Sequence, residues 1–190
     1  MVVALAAIAV LDRPIAEWAA SRSQGGTLWA SGAAWLDFLT LRRTSIFLLG
    51  PILILAGGVL FLLRSTRRTG WQFLFAGSVQ FASTMLADLA KGPIGRLQPT
   101  DAMAIRGLPD VWLAGGSVFP SGSAAFYAGL FFPLMLIAPR WTFLLAIFPL
   151  FIGAAEIVSA RHYLSDISAG FAIAALMTGA FSFLLQKAEY

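Results

Sequence analysis

The sequence predicts an all-α integral membrane bundle of about six transmembrane helices. Three observations carry that prediction. Of the 190 residues, 59% are hydrophobic and only 12% charged, against about 25% charged in a soluble domain. Several apolar runs approach the roughly 20 residues that cross a bilayer as a helix. The charges gather at the ends of those runs, where topology and headgroup contact place them. The net charge of +4 therefore fits a membrane surface better than a nucleic-acid face, and no nucleic-acid partner is expected. With no cysteine and one histidine, neither a disulfide framework nor the usual zinc ligand set is available. No metal or cofactor is expected.

In order, residues 1–11 are apolar but short and end at Asp12-Arg13-Pro14. They lack the basic start and small-residue cleavage site of a signal peptide, and read as a first membrane helix. Residues 12–43 form a long connection with Trp18, Trp29 and Trp35 among Arg22, Asp37, Arg42 and Arg43. Tryptophans among mixed charges suit a segment at the headgroup level. Residues 1–43 are thus an N-terminal helix and an interfacial connection, and 44–190 the membrane domain proper.

Thr44 to Leu63 is a span without charge, which Gly50-Pro51 can kink and Gly57-Gly58 can pack closely. Arg64 to Gly70 is a basic turn. Trp71 to Ala90 is a span with a polar stripe: Gln80, Thr84, Asp88 and Lys91 share a face, which should turn into the bundle. Lys91 to Phe119 is a connection rich in glycine and proline. Ser121 to Ile137, Trp141 to Ala160 and Leu164 to Leu185 are the remaining spans. Alternating them puts 12–43, 91–119 and 160–163 on one face. Arg64, Arg67, Arg68, Arg140 and Lys187 lie on the other. By the positive-inside rule that second face is cytoplasmic, although Arg42-Arg43 argues the other way. The expected location is a bacterial inner membrane.

The chemistry gathers at the opposite, extracytoplasmic face. His162, the single histidine, has Asp166 four residues on. A helix starting there would bring the two within hydrogen-bonding reach. A carboxylate behind an imidazole fixes its tautomer and supports its cation, as a nucleophile or base requires. It could equally serve the dipole of a helix's first turn. Lys91 ends one span, Ser121 to Ser123 open another, and Glu156 to Asp166 straddle the last connection. Three segments far apart in sequence can therefore converge on one pocket.

These residues resemble the three signatures of the type 2 phosphatidic acid phosphatases, which share a helical core with the vanadium haloperoxidases. The resemblance covers roughly residues 44 to 185. Lys91 and Pro99 match the first signature (lysine, six residues, Arg-Pro), with Gln98 where the arginine should stand. Pro120-Ser121-Gly122 match Pro-Ser-Gly-His, with Ser123 replacing the histidine. His162 and Asp166 match the third, but its Ser-Arg has become Ala155-Glu156. The resemblance implies a nucleophilic His162 oriented by Asp166, and a phosphate site at Lys91, Ser121 and Gly122.

The three departures matter chemically. Phosphoryl transfer depends largely on positioning and on cations around the phosphoryl oxygens. Gln98 donates a hydrogen bond without a charge. Ser123 is far too weak an acid to replace a general acid, a loss of about 10²–10⁴ in rate. Glu156 turns an attraction into a repulsion; two charges about 4 Å apart interact by roughly 4 kcal/mol at an effective dielectric of about 20. Arg96 and Arg161 are the candidates for compensation. Lys91 with Glu156 is the obvious structural ion pair.

The reading that follows is a catalytically impaired family member, a pseudoenzyme that binds a membrane lipid or serves as an accessory subunit of a larger membrane complex. The alternative is an active phosphatase or phosphotransferase on a lipid phosphate or isoprenoid pyrophosphate, through a phosphohistidine at His162. A third, a channel or carrier, needs the Gln80–Thr84–Asp88 stripe to line a path across the bilayer.

Overall fold

The structure, a computed structural model, describes residues 10–22, 27–105 and 111–188. The first span expected over residues 1–11 lies, but for its last two residues, outside the described residues. The described residues form eight α-helices: α1 (Asp12–Arg22), α2 (Thr27–Leu39), α3 (Leu49–Leu62), α4 (Arg67–Ile94), α5 (Pro99–Ala104), α6 (Gly122–Ile137), α7 (Thr142–Val158) and α8 (Leu164–Ala188). The all-α membrane bundle expected from the sequence is what forms. Arg64–Ala104, Pro139–Val158 and Leu164–Leu184 contain helices long and apolar enough to cross a bilayer, and α3 and α6 are shorter apolar helices. Large apolar side chains such as Leu62, Phe143 and Leu176 stand outward, over an area that only lipid or a partner would cover.

Several helix boundaries differ from the hydropathy pattern: α4 begins at Arg67, inside the stretch expected as a basic turn, and two others have a clear local reason. The helix expected from Thr44 begins only at Leu49. Ser45 Oγ takes the Phe47 N–H at 3.2 Å, and Pro51 has no N–H to return to the Phe47 carbonyl, so 44–48 turn instead. At the other end, α4 runs past Ala90 to Ile94. Gly95 then closes it in the left-handed region (φ 58°), with its N–H on the Lys91 carbonyl. Lys91 is therefore a helical residue, not the start of a loop.

The small-residue seam predicted for α3 is half used. A Cβ on Gly57 would stand 2.7 Å from the Leu74 backbone nitrogen of α4, whereas one on Gly58 would meet nothing within 4 Å. Helix α6 is the centre of the bundle. It packs on α4, α7 and α8, and every residue from Ser123 to Gly129 is buried.

Residues 12–43, expected as an interfacial connection, are two helices docked on the bundle. Helix α1 packs on α5, α7 and α8, and α2 on α7. Trp29 stacks on Phe151, with centroids 5.3 Å apart. Leu36 joins the cluster around Phe126, Tyr127 and Ile152. This docking brings Asp12, Asp37 and Arg42 to the end of the bundle where α6 and α8 begin.

Candidate functional site

A polar cleft of ≈ 250 Å³ opens there. That is below the 300–1,000 Å³ or so of drug-sized sites, room for a headgroup rather than a whole lipid. Its walls come from all three predicted segments: Lys91 and Gln98, then Gly122 and Ser123, then Glu156, Arg161 and His162. Asp37 and Arg42 from the end of α2 complete it.

Each side chain is placed by a local feature. Lys91 sits in the last turn of α4 and bonds Asp88 Oδ1 at 3.2 Å. It does not pair with Glu156, as the sequence led us to expect; Asp88, one turn back on the same helix face, is the nearer carboxylate. Gln98 occupies the N-cap of α5. Gly122 leaves space for Lys91, whose Nζ would lie 3.1 Å from a Cβ there. Ser121 is fully buried and caps α6, its Oγ accepting the Ala124 N–H; it does not line the cleft.

The α7–α8 turn delivers the rest. Ala160 is left-handed (φ 51°), which reverses the chain sharply and throws Arg161 and His162 forward. Asp166 lies in the first turn of α8, and its Oδ2 accepts the Tyr163 N–H at 2.8 Å. His162 Nδ1 stands 3.4 Å from that same oxygen, a long hydrogen bond. On its other side, His162 Nε2 is 4.0 Å from Glu156 Oε2. Glu156 is buried near the end of α7, and Ser123 Oγ donates to its Oε1 at 3.0 Å. Arg161, 68% exposed, approaches Glu156 Oε2 to 3.9 Å.

The two compensating arginines considered from the sequence have different positions. Arg161 lines the cleft. Arg96 is buried behind it. Its Nη1 donates to Asp166 Oδ1 and, at 2.6 Å, to Ser165 Oγ, and its Nη2 to Asp12 Oδ2 at 2.7 Å. The guanidinium lies over the rings of Tyr163 (3.9 Å) and Trp112 (4.2 Å). Burial pushes the Tyr163 phenol above its ordinary range, which keeps a neutral π-face against the cation. Arg96 thus holds the carboxylate behind His162 rather than anything in the cleft.

Sequence reasoning missed Arg42, Asp37 and Asp12 as site residues. Arg42 Nη1 donates to Asp37 Oδ2 at 2.8 Å, and Nη2 to Ser123 Oγ at 2.6 Å. The Tyr127 hydroxyl donates to Asp37 Oδ1 at 2.8 Å. Leu41, left-handed at φ 60°, turns the chain so that Arg42 faces inward while Arg43 stays exposed. Of the polar stripe of α4 only Lys91 lines the cleft; Gln80 and Thr84 are buried and bonded to each other at 3.0 Å. Among the described residues, no group of three or more histidine, aspartate or glutamate side chains is arranged to hold a metal.

The comparisons with known proteins bear on this arrangement. The family model described as PAP2 superfamily matches residues 70–190. A solved structure of a transmembrane PAP2-type phosphatidylglycerolphosphate phosphatase from Bacillus subtilis superposes with a TM-score of 0.55 at 19% identity. The match covers 95% of this chain and 90% of that one. No curated protein matches the sequence.

Proposed function

The chain belongs to the PAP2 superfamily, and from that premise we propose that it binds a phospholipid headgroup in the His162 cleft while hydrolysing it poorly or not at all. It would act as a lipid-binding or accessory subunit in a bacterial cytoplasmic membrane, with the cleft on the extracytoplasmic side. A helical rather than a barrel span supports that membrane, and the basic residues at the far end of the bundle support that orientation.

One observation carries the proposal: the Glu156 carboxylate 4.0 Å from His162 Nε2. An imidazole that attacks phosphorus needs it about 3–3.5 Å from this nitrogen, with cations around the phosphoryl oxygens. Here a carboxylate faces that space, fixed by Ser123. The headgroup class follows from the family and from the cleft's polar lining of Arg42, Lys91, Arg161 and Gln98. The second reading, an active phosphotransferase, draws on the His162–Asp166 contact of 3.4 Å.

Purified protein should be assayed against phosphatidic acid, phosphatidylglycerolphosphate and undecaprenyl pyrophosphate, beside His162→Ala. We expect little or no turnover from either. Turnover that disappears with His162→Ala would establish the phosphotransferase instead. The combined variant Gln98→Arg, Ser123→His, Glu156→Arg should gain activity by at least about 10².

A further inference from the structure

We propose that the cleft selects a zwitterionic headgroup, a phosphoryl group bearing a short aminoalkyl arm, with Arg42 and Lys91 on the phosphoryl oxygens and Glu156 on the ammonium. The proposal rests on the headgroup-binding reading above and narrows its ligand class.

The first ground is the balance of charge along the wall. Each cation facing the cleft has a carboxylate beside it: Arg42 with Asp37 at 2.8 Å, Lys91 with Asp88 at 3.2 Å, Arg161 with Glu156 at 3.9 Å. A site for a bare phosphate dianion would carry an excess of cations. This wall carries both signs, Asp37 and Glu156 among Arg42, Lys91 and Arg161, which suits a ligand carrying both signs.

The second ground is an acceptor with no bonded donor. The Glu156 side chain is 8% exposed. Its Oε1 is bonded to Ser123, but its Oε2 is only approached, by Arg161 and by His162 Nε2 at 4.0 Å. That oxygen is accessible in the cleft that Glu156 lines, so it can still accept from a donor on a ligand. An ammonium supplies three donors and the opposite charge.

The third ground is the guanidinium next to it. Arg42 is held from behind by Asp37, which the Tyr127 hydroxyl holds in turn. Its Nη2 rests on Ser123 Oγ, the same hydroxyl that donates to Glu156. A cation and a carboxylate are thus fixed on either side of one hydroxyl, a spacing that a single small ligand can bridge. Arg42 lines the cleft, while its Nε–H is buried in the wall and makes no hydrogen bond. It supplies, from the N-terminal segment, a guanidinium beside the one that position 156 lacks.

The test uses the full chain in an uncharged detergent. His162 is the only histidine, so its ¹⁵N imidazole resonances report the cleft without ambiguity. The probes are inorganic phosphate and phosphorylethanolamine, followed by dihexanoyl phosphatidic acid and dihexanoyl phosphatidylethanolamine. We expect the amine-bearing member of at least one pair to bind about tenfold tighter. A preference in the first pair alone identifies a free headgroup, and one in the lipid pair identifies a lipid. Glu156→Gln should reverse the order by weakening the amine-bearing ligand and strengthening its partner; Glu156→Asp, which keeps the charge, should retain it. Arg42→Ala should weaken every probe. Equal or tighter binding of the amine-free ligands to wild type would overturn the zwitterion proposal and leave the headgroup reading standing. No response to any probe would overturn both.

Discussion

Arg96 is a guanidinium with almost no water around it, placed between two buried carboxylates and two aromatic faces. Two acids and one cation sharing a dry site hold one another in place. Removing the cation leaves Asp12 and Asp166 buried and unneutralised. Arg96→Gln should therefore cost about 3–5 kcal/mol, read as a lowered unfolding midpoint in detergent. It should also shift the His162 resonances, because Asp166 Oδ1 loses its partner. Arg43→Gln, on an exposed side chain, should stay within about 0.5 kcal/mol of wild type. Residues of this kind mark the limit of what the sequence discloses. The pair His162–Asp166 was legible because its spacing survives within one turn, and the lost donors at 98, 123 and 156 because they interrupt fixed patterns. Arg42 and Arg43 are indistinguishable as letters. Only the left-handed turn at Leu41, which no local pattern announces, sends one into the cleft and the other out.

The helices repeat this division between local and tertiary information. Five apolar runs gave five apolar helices, three of them long enough to cross a bilayer, since a run of uncharged residues has few alternatives there. Their ends were less legible, because a turn at Ser45 and a cap at Gly95 depend on single hydrogen bonds. Which glycines matter was not legible at all. Gly57 faces α4 and Gly58 faces outward, though they are neighbours. Gly57→Val places its side chain against the backbone of Leu74 and Gly70, atoms that cannot rotate away. It should destabilise the α3–α4 pair by about 1–3 kcal/mol, seen as a lower thermal midpoint. Gly58→Val, with nothing to strike, should be near neutral. Reversed ranks would mean that α3 is rotated about its axis relative to this arrangement.

At the scale of the whole molecule, the family match begins at residue 70, yet Asp12, Asp37 and Arg42 reach the site from before it. The N-terminal helices are part of the cleft's construction, which is why 12–43 could not be understood as a connection alone. Their placement also bears on orientation. Arg42 is one of the two adjacent arginines, Arg42-Arg43, that argued against a cytoplasmic Arg64–Arg68 end. A guanidinium fixed on Asp37 and Ser123 has a structural reason to be there, independent of topology. Arg64, Arg67 and Arg68, just before α4 and in its first turn, make no ion pair among the described residues and keep their weight as a topological signal. Helix α4 connects the two ends directly. Its 28 residues extend about 42 Å at 1.5 Å per residue, more than the roughly 30 Å hydrocarbon core, so its two ends lie on opposite sides of the membrane. The chain has no cysteine, and a single introduced thiol is therefore a clean reporter. Ser65→Cys and Asp101→Cys are exposed positions beyond either end of α4. With a membrane-impermeant maleimide on intact spheroplasts, Asp101→Cys should label at once and Ser65→Cys only after the membrane is opened. The opposite pattern would place the His162 cleft in the cytoplasm, where the headgroups within its reach would be those of the inner leaflet.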